Sequence, residues 1–168
     1  MGTRSHQQSA ADLTVRCAII TCSDTRTTDT DTSGAYIRTV LEEKGYEIAA
    51  YELVKDEPEQ IRGMLNAHVD NGIDAVMING GTGIARRDTT YDVVVAMLEK
   101  TLPGFGEIFR MLSYDEIGAA SILSRAVAGS IGDTLVFSMP GSTGAVRLAM
   151  DKLIAPDLRH LVWEIREH

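Results

Sequence analysis

The chain contains 168 residues, of which 44% are hydrophobic and 24% charged, and its formal net charge is −8. These values are typical of one globular domain, and no apolar run approaches the roughly 20 residues that a membrane span requires. The acidic balance also argues against nucleic acid as a partner, because nucleic-acid binding needs a basic surface. The first residues lack the apolar segment of a signal peptide, so we expect a cytoplasmic protein without membrane contact.

Residues 1–14 are predicted to form a flexible N-terminal tail, and residues 15–168 a single domain. The domain begins with a near-continuous apolar run over residues 15–22, which is typical of a strand buried on both faces. Two cysteines, Cys17 and Cys22, lie in this strand and point to opposite faces, so we expect no disulfide between them.

A polar loop follows at residues 23–31, and helical and strand patterns then alternate along the chain. Thr32 is predicted to open the first helix and Gly45 to end it, because glycine is the common residue just beyond a helix. Residues 46–54 are predicted to form the second strand.

The second helix carries the clearest local signals. Asp56 lies three positions before Glu59, which is the spacing of a capping box, and Pro58 is tolerated in a first turn. We therefore predict that Asp56 begins this helix and that Gly72 ends it.

The third strand is predicted at Ala75–Ile78 and the third helix at Thr89–Lys100. Pro103 and Gly104 then break the chain before a helix over Phe105–Leu112. Apolar residues are spread around much of this helix, which predicts burial on several sides. The burial arises either from packing in the interior or from a subunit interface.

Residues 122–138 are predicted to form a hairpin that turns near Gly132 and Asp133. A final helix follows Gly144, restarts at Pro156 and runs to about residue 167. The alternation of strands and helices predicts an α/β fold with a mostly parallel sheet, helices on both faces, and one antiparallel strand from the hairpin.

The run from Asn79 to Asp88 is the strongest functional signal. Its glycines allow backbone N–H groups to approach an anion, and two arginines add positive charge. The run is neither a dinucleotide fingerprint, which would need glycine or alanine where Arg86 stands, nor a P-loop, which would need Gly-Lys-Ser/Thr. It therefore predicts a phosphate cradle of another kind.

Four loops are predicted to leave the carboxyl ends of parallel strands, where ligands bind in open α/β sheets. This placement brings three carboxylates, those of Asp24, Asp56 and Asp88, close to the glycine run and to the loop around Gly141. Mg²⁺ takes one or two carboxylates together with substrate phosphates, so the rim is a candidate magnesium site.

Each of these residues also has a purely structural interpretation. Asp56 could only cap the second helix, and Asp24 could only shape a turn. Asp88 could cap the third helix or pair with a neighbouring arginine, and Gly141 and Gly144 could only shape a turn.

The order and spacing of six segments resemble the MoaB/MogA family of molybdenum cofactor biosynthesis proteins, and MoaB more than MogA. The segments are Ser23-Asp24-Thr25-Arg26, Asp31-Thr32-Ser33-Gly34, Asn79-Gly80-Gly81-Thr82-Gly83 with Arg87-Asp88, Gly104-Phe105-Gly106-Glu107-Ile108-Phe109-Arg110, Ser124-Arg125-Ala126, and Met139-Pro140-Gly141-Ser142. The resemblance covers about residues 15–165.

The resemblance implies a three-layer α/β/α molybdopterin-binding fold that assembles as a homotrimer or hexamer. It implies an adenylyltransferase that uses Mg²⁺ and ATP to adenylylate molybdopterin and releases pyrophosphate. The product would pass to a downstream metal-insertion protein.

The same resemblance implies roles for individual residues. Asp56 and Asp88 would be catalytic and would hold Mg²⁺. The substrate- and nucleotide-binding residues would be Ser23, Asp24, Ser33, Gly34, Asn79, Gly80, Gly81, Thr82, Gly83, Pro140, Gly141 and Ser142.

Two departures from the family pattern suggest an alternative function. Ala35 stands where MogA-like members carry an acidic residue, and no lysine follows Pro140 and Gly141. These differences motivate a non-catalytic carrier that binds molybdopterin in the same pathway. The presence of both Asp56 and Asp88 favours the enzyme.

Overall fold

The computed structural model describes residues 13–167, and a six-stranded sheet forms its centre. The strands are β1 (Arg16–Cys22), β2 (Glu47–Val54), β3 (Ala75–Asn79), β4 (Lys100–Thr101), β5 (Val127–Ile131) and β6 (Thr134–Met139). Their order is β2-β1-β3-β6-β5-β4. β1 pairs in parallel with β2 and β3, and β3 pairs in parallel with β6, whereas β5 is antiparallel to both its neighbours.

In this described part of the chain, six α-helices connect and cover the strands. They are α1 (Thr32–Glu43), α2 (Pro58–Asp70), α3 (Thr90–Met97), α4 (Pro103–Ile117), α5 (Thr143–Ala149) and α6 (Leu158–Glu167). A 3₁₀ segment (Gly118–Leu123) follows α4, and a π-helical segment (Met150–Ile154) follows α5.

Two apolar cores lie on opposite faces of the sheet. Alternate residues of β1 point into different cores, with Ile19 in the first and Ile20 in the second. The first core includes buried residues from α1, α4, α5 and α6, and the second includes buried residues from α2 and α3. The predicted three-layer α/β/α fold with a mostly parallel sheet is confirmed.

The parallel strands place four loops on one rim of the sheet, as predicted. The chain segments after β1, β2, β3 and β6 all leave from carboxyl ends on this side. Backbone hydrogen bonds then join neighbouring loops, from Ser23 N to Val54 O at 2.9 Å and from Gly80 N to Met139 O at 3.1 Å.

The predicted capping box at the second helix is wrong. α2 begins at Pro58 after Glu57, whose side chain makes no capping hydrogen bond. Asp56 is buried, and its carboxylate instead binds the start of α3. The Asp56 side chain therefore makes a tertiary contact with α3 instead of the local cap on α2 that the sequence spacing predicted.

The third helix is also shorter than predicted. It ends at Met97 rather than Lys100, because Lys100 and Thr101 form β4 and pair with β5. The hairpin of β5 and β6, with Gly132 in its turn at φ +53°, matches the prediction.

α4 is longer than predicted and packs on one side only. Phe109 is fully buried and stacks with Phe105 at a ring-centroid distance of 6.2 Å. Burial on several sides through interior packing is therefore wrong, because the opposite half of the helix exposes large apolar side chains in the single chain, and the subunit interface stays a prediction. Those exposed are Ile108, Met111, Tyr114 and Ile117, and Ile122 and Leu123 of the 3₁₀ segment are exposed as well.

The structure bears on the predicted N-terminal tail and on membrane contact. The predicted tail falls mostly on residues 1–12, which lie outside the described residues, and Leu13 packs partly buried against the first core. No helix within the described part of the chain is both long and apolar enough to cross a bilayer.

Candidate functional site

A polar cavity of about 350 Å³ opens on the rim where β1, β3 and β6 end. It is lined by Cys22, Ser23, Thr25, Arg26, Gly80, Gly81, Thr82, Gly83, Asp88 and Gly141. Seven of these ten residues were predicted from the sequence as site residues. The cavity therefore lies where the parallel topology and the glycine run predicted a ligand site.

Close approach of backbones gives the cavity its narrow base. Gly80 has φ +96°, and a Cβ there would collide with the carbonyl oxygen of Cys22. A Cβ at Gly141 would lie 3.0 Å from the Cα of Gly80. Only glycine at position 80 allows the ends of β1, β3 and β6 to meet in this way.

The backbone N–H groups of the glycine run point to its possible role. Within residues 13–167, the N–H groups of Gly81, Thr82 and Gly83 donate no hydrogen bond to another residue. The carbonyl oxygens of Thr82 and Gly83 accept from the guanidinium of Arg125, at 2.8 and 2.6 Å. The loop is thus held by its carbonyls while its amides stay available to an anion.

Asp88 is the carboxylate that lines the cavity. Its Oδ2 accepts a hydrogen bond from Ala85 N at 3.1 Å. Its Oδ1 has no hydrogen-bond partner in the described chain. Asp88 forms no ion pair with either neighbouring arginine, and Thr89, not Asp88, occupies the N-cap of α3. One carboxylate oxygen is therefore available to a ligand.

Asp56 lies beneath the glycine run rather than in the cavity. It is 5% exposed, and its Oδ1 accepts from Thr89 N at 3.1 Å, Thr89 Oγ1 at 2.7 Å and Thr90 Oγ1 at 3.1 Å. Its Oδ2 lies so close to Gly81 that a Cβ there would collide with it. Asp56 joins the β2 loop, α3 and the glycine run.

Asp24 belongs to an ion-pair network at the outer edge. Arg87 donates to its two carboxylate oxygens at 2.7 and 2.9 Å and also pairs with Glu57 at 2.8 Å. Asp24 Oδ1 accepts in addition from Asp56 N at 3.3 Å. The hydrogen bonds from Arg87 lower the pKa of Asp24, so the pair stays charged at neutral pH.

The remaining predicted binding residues support the cavity walls without lining the cavity. Ser33 Oγ donates to the carbonyl of Gly141 at 2.8 Å, and Asn79 Nδ2 donates to Thr21 Oγ1 at 2.8 Å. Ser142 caps α5 by accepting from Ala145 N at 3.3 Å.

Gly34 and Pro140 complete this supporting set. Gly34 is packed against Asp31, Tyr51 and Thr21 so closely that any Cβ would collide with them. Pro140 is half-buried between β6 and Gly141.

Sequence reasoning missed three residues of the lining. Thr25 and Arg26 belong to the same rim loop as Ser23, so their position after β1 was an available signal. Cys22 was interpreted as a small core residue, and burial raises the pKa of its thiol to about 12. Arg125 is remote in sequence, and no local pattern pointed to it as the holder of the glycine run.

The carboxylates fit a magnesium site that is completed by a ligand. Within residues 13–167 no three His, Cys, Asp or Glu side chains converge as a metal-binding group. Mg²⁺ needs only one or two carboxylates when phosphate oxygens supply further ligands. Asp88 Oδ1 is available for this role, and Asp56 Oδ2, which lies against Gly81, is a second candidate.

Comparison with known proteins gives the family. A family profile described as "Probable molybdopterin binding domain" matches residues 18–160. The chain belongs to this family. It is 57% identical to molybdenum cofactor biosynthesis protein B of Bacillus subtilis strain 168, over 99% of both chains.

Solved structures extend this family relationship. A crystal structure of molybdenum cofactor biosynthesis protein B has 51% identity and a TM-score of 0.90, over 94% of this chain and 99% of that one. The tungsten cofactor synthesizing protein MoaB from Pyrococcus furiosus has 35% identity and a TM-score of 0.84, over 93% and 99%. A MogA structure has 32% identity and a TM-score of 0.82, over 89% and 99%. The predicted MoaB/MogA resemblance is confirmed.

Proposed function

We propose that this protein adenylylates molybdopterin with Mg²⁺ and ATP and releases pyrophosphate, as a cytoplasmic step in molybdenum cofactor biosynthesis. One observation carries the proposal. The cavity combines three backbone N–H groups, which have no partner in the described part of the chain, with the Asp88 carboxylate, as phosphate chemistry assisted by a cation requires. The family description and the names of the relatives supply the pterin.

The reaction transfers an adenylyl group between two phosphates. An oxygen of the molybdopterin phosphate attacks the α-phosphorus of ATP, the bond between that phosphorus and the bridging oxygen breaks, and pyrophosphate leaves. The amides of Gly81, Thr82 and Gly83 hold phosphate oxygens in place and stabilise charge that develops on them. Mg²⁺ held by Asp88 would neutralise phosphate charge.

The other predicted residues act around this centre. Asp56 fixes the glycine run from below through Thr89 and Thr90, and its Oδ2 is the candidate for a second metal contact. Ser33 and Ser142 hold the segment around Gly141 at the base of the cavity. The adenylylated product would be passed to a metal-insertion protein.

Pyrophosphate release is the direct test. The purified protein with ATP, Mg²⁺ and molybdopterin should release pyrophosphate at least about 100-fold faster than the same mixture without protein. Omitting molybdopterin or chelating Mg²⁺ with EDTA should return the rate to background. Background release in the complete mixture would overturn the proposal.

The same assay decides on the carrier alternative. The observation that favours a carrier is that, among the described residues that line the cavity, Arg26 is the only cation and there is no lysine. A carrier would bind molybdopterin tightly and release no pyrophosphate. Release above background excludes it.

We also propose that the chain assembles with copies of itself through the exposed half of α4 and the 3₁₀ segment. Ile108 is 44% exposed, Met111 60%, Ile117 54% and Ile122 81%. Apolar side chains gathered in this way on one surface are typical of protein interfaces. The proposed assembly is a homotrimer or hexamer.

Introducing charge on this surface should reduce the size of the assembly. The double variant Met111→Glu/Ile117→Glu should sediment as a smaller species than the wild type in analytical ultracentrifugation, because buried unpaired carboxylates oppose association. Val95→Glu is the control, since Val95 is 45% exposed on α3, outside this surface. A wild type that sediments as a monomer at micromolar concentration would contradict the proposal.

A further inference from the structure

Arg26 contributes a cationic side chain to the cavity, whereas two neighbouring arginines are bound to other groups. Arg87 is already bound to Asp24 and Glu57 at the outer edge. Arg125 is bound to the carbonyls of the glycine run and to Asp92. Arg26 alone among these three lines the cavity.

The guanidinium of Arg26 is held by two hydrogen bonds that do not use all of its N–H donors. Its Nη2 donates to the carbonyl of Gly141 at 2.7 Å and its Nη1 to Asp31 Oδ1 at 3.4 Å. A guanidinium carries five N–H donors, so within the described chain these two bonds leave three for a ligand. The side chain is 28% exposed, which gives a ligand access from the cavity.

Asp31 is a rigid support for this guanidinium. It is 2% exposed, and its Oδ1 also accepts from Gly34 N at 3.0 Å. Its Oδ2 accepts from the Tyr51 hydroxyl at 2.7 Å. Burial and this hydrogen bond raise the pKa of Tyr51, which therefore remains a protonated donor at neutral pH.

The glycine run adds further groups that attract an anion to this cavity. The unpartnered amides of Gly81, Thr82 and Gly83 line the same cavity as Arg26. The chain as a whole carries a net charge of −8, so attraction of an anion depends on local groups such as these.

We propose that Arg26 binds a phosphate group of the ligand directly, in the same cavity as the glycine run, and that Asp31 and Tyr51 orient it for this purpose. The inference rests on the proposed function and names a substrate-binding residue for the same site. A guanidinium is suited to the task, because its planar fork matches two phosphate oxygens.

Binding of inorganic pyrophosphate, measured by isothermal titration calorimetry in the presence of Mg²⁺, tests the inference without relying on turnover. Arg26→Gln should bind pyrophosphate about 10- to 100-fold more weakly than wild type, the loss expected for a charge-assisted hydrogen bond. Arg26→Lys should fall between the two, since it keeps the charge but not the fork. Arg38→Gln is the charge-matched control, because Arg38 pairs with Glu42 on the exposed surface of α1.

The outcomes separate the inference from the proposed function. Wild type that does not bind pyrophosphate would contradict the phosphate site itself, and the inference with it. If the wild type binds pyrophosphate and a folded Arg26→Gln variant binds it with equal affinity, the inference about Arg26 is overturned and the phosphate site still stands. If Arg26→Gln fails to give a cooperative thermal transition, Arg26→Lys decides: affinity reduced at least about 3-fold supports direct binding, and unchanged affinity overturns it.

Discussion

Asp88→Asn is expected to lower the rate of pyrophosphate release by about 100-fold or more, which is the loss typical of removing one charge-stabilising group. In the wild type, Asp88 Oδ2 accepts from Ala85 N, and Oδ1 remains available in the cavity. An asparagine can keep the bond to Ala85 through its carbonyl oxygen. It then presents an N–H₂ group to the cavity, where a metal ion needs an oxygen ligand.

The measurement is the initial rate of pyrophosphate release at saturating ATP and molybdopterin, together with a thermal melt. Because the turn at Ala85 is kept, the melting temperature should stay close to that of the wild type. Asp29→Asn is the matched control, since Asp29 is exposed in the loop after β1 and does not line the cavity. Asp88→Asn with a rate within about 2-fold of wild type would remove Asp88 from the proposed mechanism.

Asp56→Ala is expected to destabilise the fold by about 3 kcal/mol, because three donors lose their acceptor in a buried place. These donors are Thr89 N, Thr89 Oγ1 and Thr90 Oγ1, and Thr90 is fully buried. For a domain of this size the loss corresponds to a melting temperature about 10 °C lower.

Chemical denaturation measures this loss, and Glu59→Ala provides a discriminating control. If Asp56 and Glu59 formed a capping box, both substitutions would weaken α2. The observed contacts predict that Glu59→Ala, at an exposed position, changes the unfolding free energy by less than about 0.5 kcal/mol. Equal destabilisation by both variants would refute the anchoring role of Asp56.

Asp56→Asn separates stability from chemistry at the same position. Its amide oxygen can still accept from the two threonines, so the fold should be largely retained. A folded Asp56→Asn variant without activity would support metal contact by Oδ2, whereas one with wild-type activity would leave Asp56 only its anchoring role.

The fold was predictable because its signals are local and repeated. The apolar runs of β1 and β3, the glycines after α1 and α2, and the turn at Gly132 each identify an element without reference to the rest of the chain. Once the strands are parallel, the position of the rim follows from topology. The boundary of α3 was not predictable in this way, because β4 forms only through its pairing with β5.

The position of the candidate site was predictable from the sequence, but the contacts of its individual residues were not. The glycine run after β3 predicted where a phosphate could bind. The parallel topology predicted that Asp24, Asp56 and Asp88 lie on the same rim of the sheet. Sequence could not tell that Asp56 would be buried against α3 while Asp88 faced the cavity, because that depends on contacts between Asp56 and Thr89, 33 positions apart. Arg125 reaches the glycine run from 43 positions away and was missed for the same reason.

The meeting of Cys22, Gly80 and Gly141 at the base of the cavity has a consequence for folding. Cys22 ends β1, and Gly80 and Gly141 lie just beyond β3 and β6. Gly80 and Gly141 come together only when β6, the last strand of the described chain, has paired with β3. Such distant pairings close late, since long loops must first be ordered. The cavity is therefore absent from a sheet in which β6 has not yet paired with β3, and a nascent chain that has not yet placed β6 has no such cavity for a ligand.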